Sequence, residues 1–177
     1  TAPACTESPT SAKKNCEQPV VVTNLFSKLE QTMTRATNSQ LQEWAPKILK
    51  LEVDDQRRGL PLKGISKEMV GMVRDYVGSN HPEWTMAEFQ TEYVKRLAAP
   101  FSCSLLNLMK VVLGITFHQA TIFVSHAWKY NNKRFFSCVL ELDCVNDGDH
   151  FWIDALTVNQ FHTQHGFEWW SKTFLKC

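Results

Sequence analysis

The chain has no long apolar run, no excess of charge of either sign, no close cysteine pair and no internal repeat, and each absence closes a class of function. No window approaches the roughly 18 continuous apolar residues that a membrane-spanning helix needs. The longest apolar stretch, around Leu105 to Phe117, is broken by Asn107, Lys110, Gly114 and Thr116 and reads as a core helix. With 19 basic and 18 acidic residues the formal charge is +1, so no global field draws the protein to nucleic acid or to anionic lipid. The first twenty residues lack the apolar segment of a secretory signal. The cysteines, Cys5, Cys16, Cys103, Cys138, Cys144 and Cys177, contain no CxxC pair, which speaks against a zinc ribbon and a dithiol redox motif. Free thiols in an intracellular, reducing compartment are expected, with Cys138 and Cys144 packed as small hydrophobes. His162 and His165 stand at i, i+3, but their spacing to Cys138 or Cys144 matches no known finger, and no metal is expected.

What is present suffices for one ordinary domain: 177 residues, 44% of them hydrophobic. Residues 1–22, rich in Thr, Ser, Pro, Ala and Lys, are expected to form a flexible arm. Residues 23–114 read as a helical extension. Leu25, Leu29, Met33 and Ala36 recur at helical steps, and so do Leu41, Trp44, Ile48 and Leu51 behind a Ser39 cap, although Pro46 disturbs the second set. The charged segment 54–64, broken by Gly and Pro, reads as a linker or surface loop. Ser66 is expected to cap a helix carrying Met69, Val70, Val73 and Val77. Thr85 and Glu88 spell a capping box ahead of Phe89, Tyr93 and Leu97, and a helix from Ser104 should end at Gly114.

The last third, residues 115–177, reads as α/β. Ile122, Phe123 and Val124 form one short buried strand, and the run from His150 to Asp154 forms another. Asn132 begins a helix between them whose Phe135, Phe136, Val139 and Leu140 would cover one sheet face, with a turn at Asn146 to Asp149. That is a βαβ unit. Open parallel sheets bind ligands beyond the carboxyl ends of their strands, so Ser125, His126, Trp128, Asp154, Asn159 and Gln160 are the expected ligand-binding set. Ser125 and His126 are adjacent on a strand and would point to opposite faces, which speaks against a nucleophile and base pair. Four tryptophans, Trp128, Trp152, Trp169 and Trp170, make the region strongly aromatic. Packing accounts for most such rings, and a platform for a flat group is the sharper use.

Phe123-Val-Ser-His-Ala-Trp128 resembles the first-strand motif of Toll/interleukin receptor (TIR)-like domains, in the variant of protist and algal proteins. Phe151-Trp-Ile-Asp-Ala-Leu-Thr-Val-Asn-Gln160 is similar to the signature of heterokaryon-incompatibility (HET) domains, and His165 to Phe174 resembles the next segment of the protist proteins. The resemblance covers Phe117 to Phe174 and, more loosely, the preceding stretch from Thr85, including Cys103 to Met109. It implies a flavodoxin-like parallel sheet, here only its first half, used in self-association and in immune or cell-death signalling. In some members it implies cleavage of the nicotinamide glycosidic bond of NAD. The glutamate those enzymes use, in a W-C-x-x-E type motif, has no counterpart in this sequence, which leaves Glu168 and Asp154 as substitute carboxylates. The function expected on these grounds is a non-catalytic interaction or scaffolding module with a protein partner or a second copy. Its alternatives are an NAD-cleaving enzyme, with NAD as substrate and no resident cofactor, and a truncated structural subunit of a larger assembly.

Overall fold

Ser66, Thr85, Ser104 and Asn131 each stand just ahead of a helix, and each side chain accepts a hydrogen bond from the backbone N–H three residues on, at 3.3, 3.3, 3.3 and 3.0 Å. These are the N-caps that satisfy donors left over at a helix start. At Thr85 the box is complete, because the Glu88 carboxylate accepts in turn from the Thr85 backbone N–H at 2.7 Å. The computed structural model describes residues 24–58 and 62–162. In order they form α1 (Leu25–Thr34), α2 (Asn38–Arg58), β1 (Lys63–Ser66), α3 (Lys67–Asn80), α4 (Met86–Glu88), a π-helical segment (Phe89–Lys95), α5 (Arg96–Ala98), α6 (Leu105–Leu113), β2 (His118–Gln119), β3 (Ile122–Val124), α7 (Asn132–Leu140), β4 (His150–Ile153) and α8 (Asp154–Thr157).

Several local expectations are met. The caps at Ser66 and Thr85 hold, the helix from Ser104 stops at Gly114 in the left-handed conformation with φ 71°, and Asn146 and Asp149 close the expected turn at 3.1 Å. Others are corrected. Helix α2 starts at Asn38 and is capped by Thr37 and Gln40, which exchange hydrogen bonds of 2.9 and 3.3 Å, so Ser39 lies inside it. Pro46 also lies inside without ending it. Cys138 and Cys144 are exposed rather than packed, whereas Cys103 is buried.

The largest correction concerns the sheet. Strands β3 and β4 do pair in parallel, Ile122 with Phe151 and Val124 with Ile153, and α7 crosses between them. On its other side, however, β4 meets β1, which runs antiparallel to it and antiparallel again to β2. The order β2-β1-β4-β3 is a mixed sheet, not the first half of a flavodoxin-like parallel one, and the TIR-like and HET-like assignment falls with it. The reason lies in Lys63-Gly-Ile-Ser66, inside the stretch that reads as linker and its flank. Four residues with a Gly carry little strand propensity of their own, yet two neighbouring strands supply their hydrogen bonds. Gly64 is what permits the fit: a Cβ there would lie 2.9 Å from His150 Cβ and 3.0 Å from Ala120 Cα.

The strands' alternation sorts the core. Ile65, Phe151 and Ile153 enter a main cluster with Phe26, Val73, Phe89, Tyr93, Leu105 and Phe136, where α7 packs on α3. Trp152, fully buried, faces the opposite side of the sheet with Ala120 and Val158. No helix among the described residues is long and apolar enough to cross a membrane.

Candidate functional site

Because β3 and β4 run in parallel and in register, their carboxyl ends deliver His126 and Asp154 to one edge. The two side chains meet there, His126 Nδ1 standing 3.3 Å from Asp154 Oδ1. The imidazole is 2% exposed and sits against the edge of Trp128, ring centroids 4.7 Å apart, and beside Phe135 at 5.3 Å. Neither ring nitrogen makes a hydrogen bond, so the approach to Asp154 is close enough for charge to be felt but is not aligned for donation. Burial pushes the imidazole below its ordinary value, against the opposing pull of the Asp154 charge. Burial likewise pushes the Asp154 carboxyl up, with His126 and the backbone N–H of Ala155 acting the other way.

The loop after β3 is held by its backbone. Trp128 and Tyr130 offer their carbonyls to the N–H groups of Ala87 and Met86, both at 2.9 Å, and Asn132 N–H reaches Trp84 O at 2.8 Å. The acceptors meet donors that the start of α4 leaves unpaired, and they fix Trp128 and Tyr130 at the surface, 38% and 41% exposed. Behind α4 the helix widens into the π segment. In an α-helix residues five apart diverge by about 140°, at roughly 100° per residue; with i→i+5 hydrogen bonds they fall on one face. Gln90 and Lys95 therefore both reach one cleft.

Two hollows flank the His126–Asp154 pair. On the Asp154 side lies a polar cleft of about 480 Å³ lined by Ala87, Gln90, Lys95, Trp128, Asp154, Val158 and Gln160. On the His126 side lies a groove of about 320 Å³ lined by Ser125, His126, Ala127, Tyr130, Phe135, Cys138, Val139 and Leu142. Gln160 floors the cleft: its amide donates to Asp154 O at 2.6 Å and Val158 O at 3.2 Å, and its carbonyl accepts from Gln90 Nε2.

Of the expected ligand-binding set, Ser125 and His126 line the groove, and Trp128, Asp154 and Gln160 line the cleft. Asn159 goes elsewhere. Its amide donates to Glu52 Oε2 at 2.7 Å and to Ser102 O at 2.6 Å, joining a polar network that the sequence does not announce. Glu52, 8% exposed, also accepts from Ser104 N at 2.9 Å and Asn107 Nδ2 at 2.6 Å, while Asp55 takes Asn107 Nδ2 at 2.8 Å and Lys63 Nζ at 2.7 Å. Cys103 beside it has its thiol pushed up to about 12 by burial first and by the Glu52 charge second. Glu168, the other substitute carboxylate, lies outside the described residues.

Gln90 and Lys95 are the site residues that sequence reading misses, since nothing in Phe89 to Lys95 distinguishes a π turn from an α turn. Tyr130 and Leu142 are missed because a lone apolar residue in a loop carries no sign of exposure. Among the described residues no three His, Cys, Asp or Glu side chains gather as a metal set. Comparison with protein-family models, with curated proteins and with solved structures finds no match for this chain.

Proposed function

We propose that this protein is a non-catalytic interaction module that associates with a second copy of itself through the groove beside α7. The observation that carries the reading is the pairing of knob and hole on one patch. Tyr130 and Leu142, 41% and 45% exposed, line one hollow together with Ala127, Phe135 and Val139. A two-fold interface needs a surface that complements itself, and an aromatic anchor beside an apolar pocket supplies both halves. Among the described residues no Asp, Glu, Lys or Arg lines the groove, so closing it strands no charge of theirs, and a net charge of +1 offers little self-repulsion.

Sedimentation equilibrium on the full chain tests the proposal. A concentration-dependent dimer is expected, and Tyr130→Asp combined with Leu142→Asp, both at exposed positions, should return it to monomer with an unchanged thermal midpoint. A wild-type chain that stays monomeric at every concentration would sink the idea. Incubation with NAD is the companion measurement: steady release of nicotinamide, lost in Asp154→Asn, would replace the interaction reading with the enzymatic one.

A further inference from the structure

The polar cleft on the other side of the pair has no part in that groove and carries unspent chemistry of two signs. Lys95 is half-buried and has no ion-pair partner among the described residues. Asp154 commits Oδ1 to Ala155 N at 2.7 Å and faces His126 with the same oxygen, while Oδ2 has no hydrogen-bond partner among the described residues and is not sealed from solvent. The same cleft is lined by the partly exposed Trp128 and by the hydrogen-bonded amides of Gln90 and Gln160. Neither Lys95 nor Asp154 neutralises the other, since no salt bridge joins them. A half-buried charge that lacks a partner bears a desolvation cost that an incoming opposite charge relieves. The π segment sharpens the point. It gives up regular α-helical hydrogen bonding, and its effect on the surface is to bring Lys95 round to the cleft beside Gln90; such segments recur at binding sites.

We infer that this cleft binds a small zwitterion of the amino-acid type, its carboxylate met by Lys95, its ammonium by Asp154, and its flat or apolar body by Trp128. The volume of about 480 Å³ falls within the range of small-molecule sites. Opposite charges at the two ends select against ligands that carry only one. A simple anion would meet the Asp154 carboxylate, and a simple cation would meet the Lys95 ammonium.

Three matched probes test this by calorimetry on the full chain: L-phenylalanine, phenethylamine, which lacks the carboxylate, and 3-phenylpropionate, which lacks the ammonium. L-phenylalanine should bind about ten-fold more tightly than either. Lys95→Met should remove its advantage over phenethylamine, with Lys95→Arg retaining it, and Asp154→Asn should remove its advantage over 3-phenylpropionate. Circular dichroism of each variant confirms that the fold persists, and Lys95→Met, at a partly exposed helical position, carries the test if Asp154→Asn does not fold. Equal binding of all three probes, no binding of any, or affinity unmoved by Lys95→Met would each overturn the inference. Tight binding of inorganic phosphate dependent on Lys95 alone would overturn it in favour of a plain anion site. Because the groove variants Tyr130→Asp and Leu142→Asp leave the cleft lining intact, loss of dimerisation and loss of zwitterion binding are separable results.

Discussion

Two polar assemblies inside this molecule are built from similar side chains and end in opposite states. Around Glu52, the carboxylates of Glu52 and Asp55, the ammonium of Lys63 and the amides of Asn107 and Asn159 satisfy one another at 2.6 to 2.8 Å. At the sheet edge, His126 has two buried nitrogens without a hydrogen bond, and among the described residues Asp154 Oδ2 and Lys95 Nζ have no partner. Saturated buried networks rigidify and hold elements in place; here one ties α2, β1, α6 and the chain after α8 together. Groups left unsatisfied cost stability, and the proposed zwitterion site rests on their presence at the cleft.

The contrast can be broken from its strong side first. Asn107→Ala removes the amide that both Glu52 and Asp55 accept from and the carbonyl that Lys63 donates to. A loss of about 3 kcal/mol or more in urea unfolding is expected, because three charged groups are left short of a partner. A loss near zero would mean that the network is decoration. Gly64→Val comes next: the added carbons collide with His150 in β4 and with Ala120, just past β2, and a cost of about 1–3 kcal/mol is expected from overpacking, read as a lower thermal midpoint. A stability equal to wild type would show that β1 does not sit tightly between β2 and β4.

The smallest effect sharpens the other side. His126→Phe keeps a ring between Trp128 and Phe135 while deleting two unpaired nitrogens, so stability near neutral pH should move by less than about 1 kcal/mol in either direction. Its signature is in the pH dependence. Burial lowers the imidazole in the folded state, so below its ordinary value the unfolded chain binds a proton that the folded one does not. Wild-type stability should therefore fall as pH drops through the ordinary histidine range towards the lowered folded value. Asp154 acts in the reverse sense: its carboxyl is raised by burial, so between the ordinary carboxylate range and the raised value the folded chain holds the extra proton and stability recovers as pH falls. In His126→Phe the first decline should shrink, measured as the thermal midpoint across that window. An unchanged profile would show that His126 is not buried uncharged.

How much was legible depends on how local the cause is. Thr85 and Glu88 announce their helix because a capping box needs only four consecutive residues, and Gly114 ends α6 because a left-handed residue needs only itself. The parallel pairing of β3 and β4 was readable as well, since two short apolar runs with a helix between them have few other solutions. The sheet's remaining half was not. Lys63 to Ser66 resemble a loop by composition, and their strand exists only through hydrogen bonds from segments more than fifty residues away. The family resemblance rested on the same local motifs and was silent on what lies across β4, which is why it pointed to a parallel sheet. At the site, His126, Trp128, Asp154 and Gln160 came from the strand-end rule, whereas Asn159, one residue from Gln160, turned to Glu52 instead. A sequence neighbour says nothing about which way a loop side chain turns.

The amino-acid order alone determined the helix starts, the apolar faces of α3 and α7 and the two strands that carry His126 and Asp154, because each rests on hydrogen bonds and periodicities spanning a few residues. Tertiary structure alone decided that β1 lies antiparallel beside β4, that the π segment turns Lys95 to the cleft, and that one set of polar groups is saturated while another waits. Those outcomes depend on packing and pairing between distant segments, and no short window of residues contains both sides of such a contact.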